Sequence, residues 1–125
     1  MSFLALSDGY GLEGRTLFEL MASANTVTLR FDLYHCDDER RCEDGMEYLL
    51  DITVPPERFR IVDGAGERLR GDFSADILQV EIRGGEMRLL ADCSFYDPPK
   101  GRDVVLLALA GGEADVTEHP PAKVA

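Results

Sequence analysis

Between Thr26 and Tyr34 every second residue is apolar: Val27, Leu29, Phe31 and Leu33 alternate with Thr26, Thr28, Arg30 and Asp32. A period of two sends successive side chains to opposite faces. Such a run therefore describes a strand with one face on a core and the other in water. The period returns in Tyr48–Val54 through Leu50, Ile52 and Val54, and in Phe59–Val62 through Phe59 and Ile61. It returns again in Ile77–Arg83 through Leu78, Val80 and Ile82, and in Met87–Phe95 through Met87, Leu89, Ala91, Cys93 and Phe95. Val104–Ala110 is apolar at every position, which suits a central strand covered on both sides. One core is expected from these faces, with Phe31, Ile52, Ile61, Val80 and Leu89 among its members.

The joints carry turn chemistry. Pro55-Pro56 ends one strand, because proline donates nothing to a ladder and restricts the residue before it. Asp63-Gly-Ala-Gly66 reads as a hairpin turn, and Gly84-Gly85 as a two-residue hairpin connection. Asp97-Pro-Pro-Lys-Gly101 is a further turn, and Gly111-Gly112 turns the chain into a short strand around Ala114–Val116. Thr16–Ala24 admits two readings. As a helix it has Thr16 as cap, Glu19 closing a capping box, and a stripe of Leu17, Leu20, Met21 and Ala24. As a strand it has Phe18, Leu20 and Ala22 alternating, with Ser23-Ala-Asn25 turning into the next strand. The strand reading is preferred because strands surround the segment.

Short turns between strands, with no long helical period, predict a mainly β fold: a single antiparallel β-sandwich or open barrel of about 7–8 strands. At most one short helix is expected, near residues 16–24. A chain of 125 residues suits one domain, placed at 1–118 with a C-terminal tail at 119–125. No apolar run approaches the length of a membrane helix, and the first residues have no basic flank with an apolar stretch. A soluble, cytoplasmic protein without a membrane partner is expected.

Charge says more about function than any motif. Against 24 acidic residues stand 13 basic ones, for a net charge of −11. Like charges repel, so direct binding to nucleic acid is disfavoured and a basic partner favoured. The excess is concentrated. Asp37, Asp38, Glu39, Glu43, Asp44 and Glu47 crowd a short segment that holds only Arg40 and Arg41 in return. A second acidic patch, Glu113, Asp115 and Glu118, lies toward the C-terminus.

The chemical motifs are sparse. His35, Cys36 and Cys42 could supply three ligands, but structural metal sites need a fourth and closer pairs, so no metal or other cofactor is expected. Cys93 falls on an apolar strand face and reads as a buried small hydrophobe. His35 and His119 stand in no nucleophile motif, the carboxylates have no EF-hand spacing, and the glycine pairs sit at turns rather than before a helix. No catalytic residues are assigned. The expected function is that of a small acidic protein that inhibits or neutralises a larger basic partner. A toxin immunity protein facing a nuclease-type toxin, or an inhibitor of a nucleic-acid-binding enzyme or complex, has this profile. Its contacts would be made by Asp37, Asp38, Glu39, Glu43, Asp44 and Glu47. An accessory subunit docking through a strand edge is the alternative, and a small enzyme or ligand-binding barrel the third.

Overall fold

The computed structural model describes residues 1–32 and 49–119. One helix, α1 (Phe3–Tyr10), precedes the strands β1 (Thr16–Ala22), β2 (Val27–Asp32), β3 (Leu49–Val54), β4 (Phe59–Asp63), β5 (Phe73–Arg83), β6 (Glu86–Phe95), β7 (Gly101–Leu109) and β8 (Asp115–His119). Short 3-10 turns at Pro56–Arg58 and Gly66–Arg70 flank β4. All eight strands form one antiparallel sheet in the order β4-β7-β6-β5-β1-β2-β3-β8. The mainly β fold expected from the alternation is the one observed.

The middle of the sheet is its narrowest joint. β1 and β5 share only the pairs Thr16↔Asp76 and Leu17↔Ala75, whereas β5 and β6 pair along their whole length. Four strands on either side of that joint therefore make two layers, β4-β7-β6-β5 and β1-β2-β3-β8. Leu29, Phe31, Leu50 and Ile52 of one layer share a single core with Met87, Leu89, Leu107 and Leu109 of the other. The sheet is not closed into a barrel, since β4 and β8 remain as edges.

Thr16–Ala22 is a strand, and the helix lies earlier than the sequence reading allowed. Ser2 caps α1, its Oγ accepting from the Ala5 N–H at 3.1 Å, and Gly11 closes it with φ 57°. A helix this short is marginal alone. It holds because Phe3 and Leu6, three residues apart on one side, are buried in the core.

A β-bulge and a sheet edge overturn parts of the expected core. In β5, Phe73, Ala75 and Ile77 face inward, and then the register slips between Ile77 and Gln79. The extra residue changes the parity. Leu78 is thereby left 53% exposed, and Val80 and Ile82 pack against the core only in part. Ile61 was also expected inside. It sits on an edge strand beside a second bulge and is 41% exposed. The two-sided covering expected of Val104–Ala110 holds only toward its end: Val105, Leu107, Ala108 and Leu109 are buried, but Val104 is 46% exposed.

Of the glycine turns, Gly84-Gly85 makes the expected β5–β6 hairpin, with φ 59° and 77°. Asp63–Gly66 does not make a hairpin: β4 pairs with β7, and the segment leads into a 3-10 turn instead. Gly64 matters there for a different reason. It has φ 90°, and a Cβ on it would lie 2.5 Å from the Val104 carbonyl oxygen and 2.9 Å from Val105 Cα. Gly64→Ala is expected to destabilise the protein by about 2 kcal/mol or more, through both the clash and the left-handed backbone. An unchanged denaturation midpoint would show that β7 yields there at little cost.

The connections Pro55–Arg58 and Ala110–Ala114 link β3 to β4 and β7 to β8, and so run between opposite ends of the sheet. They are tied by hydrogen bonds from Ala110 N–H to the Arg58 carbonyl and from Gly112 N–H to the Gly85 carbonyl, each 2.8 Å. β8 runs to His119, one residue beyond the domain boundary read from sequence. Residues 120–125 lie outside the described residues.

Candidate functional site

The outer face of the β1-β2-β3-β8 layer is built by the polar half of each alternation. Cross-strand pairing sets Glu19 beside Arg30, Arg30 beside Asp51, and Asp51 beside Thr117. Arg30 grips Asp51 with two hydrogen bonds, Nε to Oδ1 at 2.8 Å and Nη2 to Oδ2 at 2.9 Å. Its Nη1 reaches Glu19 Oε2 at 3.4 Å. From β8, His119 Nε2 meets Asp51 Oδ2 at 2.8 Å. Thr28 and Thr53 hydroxyls join across the next polar row at 2.9 Å.

Asp51 is the buried centre of this network, 7% exposed. Burial pushes its carboxyl pKa up, but the hydrogen bonds and charges of Arg30 and His119 outweigh that and hold it below the usual carboxylate value. An aspartate holding an imidazole is one half of a general-base arrangement. Here the aspartate is committed to Arg30 through both oxygens. Among the described residues, no serine, threonine or cysteine side chain hydrogen-bonds to His119. The network fastens the edge strand β8 onto β3 and β2.

The acidic segment itself, Asp37, Asp38, Glu39, Glu43, Asp44 and Glu47, lies outside the described residues, as do His35, Cys36 and Cys42. The residues that bracket it are described. Asp32 and Leu49 are paired as the last rung of the β2–β3 ladder, and Leu49 is in turn paired with His119. The second patch divides. Glu118 lies opposite Leu50, one rung from the bracket. Asp115 lies opposite Thr53 at the far end, and Glu113 bridges to Ser2 beyond it. Glu113 and Asp115 line a small depression there with Met1, Thr53, Pro55 and Arg58.

Many of the cations are used internally. Arg60 and Arg88 both hold Glu86, Arg102 holds Asp92, and Arg83 holds Glu81. The hydrogen bond from Arg88, joined by one from Arg60, holds the Glu86 carboxyl below its ordinary value despite some desolvation. Arg15 donates to the Tyr10 carbonyl from Nε and Nη2, while Arg68 donates to the carbonyls of Asp97 and Pro99 and stacks over Phe95.

Cys93 is buried on the inner face of β6, and burial, with the charges of Asp92 and Asp103, pushes its thiol pKa up to about 11. That is an unreactive thiol, as its strand position suggested. Among the described residues, no three His, Cys, Asp or Glu side chains group as metal ligands. No helix among them is long and apolar enough to cross a membrane.

Sequence reasoning missed the Arg30–Asp51–His119 network. Arg30 and Asp51 each stand at the polar positions of a recognisable alternation, so their outward direction was legible. Their opposition was not, because residues 33–48 separate β2 from β3 in the sequence. Fold and surface define an open, two-layered antiparallel β protein whose edge strand β8 carries Asp115 and Glu118. Comparison with protein-family models, curated proteins and solved structures finds no match.

Proposed function

We propose that this chain is an acidic binding protein that inhibits or neutralises a larger basic partner. A nuclease-type toxin, or another protein whose groove receives nucleic acid, fits that description. The observation that carries the reading is topological. β8 pairs with β3, so Glu118 stands one rung from Leu49, where the acidic segment rejoins the sheet. The strand that carries Glu118 is thus the neighbour of the strand that follows the acidic segment in the chain. The net charge of −11 supports the same reading, because the excess of carboxylates dominates the outward field. Such a field accelerates encounter with a basic surface, and carboxylates seated where phosphates would lie block access to the groove. A second reading, docking through a strand edge, draws on Ile61, which stands exposed on the edge strand β4.

Kinetics against a partner captured on the immobilised protein and identified by mass spectrometry tests the first reading. Changing Asp37, Asp38, Glu39, Glu43 and Asp44 to Asn or Gln should slow association about tenfold or more at low salt. Added salt should shrink the difference. Stability of the free protein should change by no more than about 1 kcal/mol. Glu118→Gln should slow association further, while Glu113→Gln and Asp115→Asn at the far end of β8 serve as controls. Unchanged association of the five-fold variant at low salt would overturn the reading and move attention to the β4 edge.

A further inference from the structure

The two edge strands of the sheet are held in different ways. On either side of β4 the chain is buried: Val54 precedes it, and Gly66 and Leu69 follow it. At one end the Arg58 carbonyl accepts from the Ala110 N–H, and at the other the Ala65 N–H donates to the Asp103 carboxylate. β8 has a buried anchor at its start. Ala114 is buried there, and its N–H donates to the Met1 carbonyl at 3.0 Å. Two residues earlier, Gly112 donates to the Gly85 carbonyl at 2.8 Å and accepts from the Phe3 N–H at 3.0 Å. From Asp115 to His119 no residue is buried. Val116 packs against the core only in part.

The neighbouring strand is the opposite case. In β3, Leu50, Asp51, Ile52 and Val54 are all buried, and β3 is paired with β2 along its whole length. Its place in the core therefore does not depend on β8. Polar bonds supply most of the described hold on β8. They are the ladder from Asp115↔Thr53 to His119↔Leu49 and the contact of His119 Nε2 with Asp51 Oδ2 at 2.8 Å. Breaking a contact to a buried carboxylate is costly where it leaves the charge unpaired. Here it does not. Arg30 grips both Asp51 oxygens from the β2 side, at 2.8 and 2.9 Å, and keeps them when His119 departs. The imidazole, with 43% of its side chain already exposed, passes into water.

We propose that β8 is a hinged strap that turns about Ala114, is clasped to β3 by His119, and opens while the rest of the sheet stays folded. Closed, it sets Glu118 opposite Leu50; open, it withdraws that carboxylate from the sheet. That consequence rests on the binding reading above, for which opening is a means of regulation: it lowers the negative charge presented beside β3. The strap itself rests on the geometry of β8 and needs no partner.

Amide hydrogen exchange of the full chain at neutral pH, without partner and at low denaturant concentrations, tests the strap. The β8 amides that donate to β3 should exchange about tenfold or more faster than the ladder amides of β2 and β6. Their rates should hardly depend on denaturant, because an opening confined to β8 exposes little new surface. His119→Ala should speed β8 exchange about fivefold or more. His119→Gln, which keeps a donor for Asp51, should return it to within about twofold of wild type. If these β8 amides exchange as slowly as those of β6 and with the same denaturant dependence, the strap is overturned. Rates that His119→Ala leaves unchanged overturn the clasp. Because no partner enters the measurement, either failure leaves the binding reading standing, and loss of that reading leaves the strap.

Discussion

Replacing Phe31 by alanine should cost roughly 3–5 kcal/mol, enough to consume much of the stability of a small domain. The ring is fully buried on β2, between Leu17 of β1 and Leu50 of β3 on the same inner face. It lies in the single core that joins both layers. Its removal leaves a cavity walled by strands held in ladders on both sides, which collapse poorly onto the space. Chemical denaturation should show the midpoint falling with little change in slope. A loss under half a kcal/mol would mean that Phe31 does not face this core.

Asp51→Ala should cost about 2–4 kcal/mol, because it strips a half-buried guanidinium of its bidentate partner and frees His119 at the same time. The loss should be felt first at the edge. Amide exchange in β8 should quicken more than in β6, since β8 is held by β3 alone on one side. Asp51→Asn separates charge from shape. With its carboxyl pKa held down in the folded state, Asp51 contributes its full stability above the ordinary carboxylate value of about 4. That contribution fades as pH falls through the lowered folded value. The stability gap between wild type and Asp51→Asn should therefore be level near neutrality and close below about pH 4. A gap of constant size from neutral pH down to about pH 2 would show that Asp51 does not titrate as this network requires.

Legibility followed locality. Val27, Leu29 and Phe31 are read as one inner face because a single strand carries the whole signal. The Gly84-Gly85 hairpin is read for the same reason, since both glycines adopt the positive φ that a tight turn demands. α1 was legible in principle, with Ser2 as cap, Phe3 and Leu6 on one side and Gly11 as stop. Its brevity kept the signal below that of the strands around it. Leu78 was misplaced because a bulge is invisible to a strict count of two. One extra residue reverses inside and outside for everything after it. Ile61, which pairs with the buried Leu107, was misplaced because such a count does not show which strand lies at an edge.

The amino-acid sequence by itself determined that the protein is antiparallel β, where most of its strands run, and that it carries a large excess of negative charge. These follow from side-chain period, turn residues and composition, which need no knowledge of what lies across the sheet. Only the tertiary structure decided which strands are neighbours. It placed β4 and β8 at the edges, joined the two layers through two rungs between β1 and β5, and gathered Arg30, Asp51 and His119 from three strands. It also set Glu118 opposite Leu50, one rung from Leu49. Those outcomes depend on pairings between residues distant in sequence. They are chosen by the burial of one shared core, a property of all eight strands together that no single segment encodes.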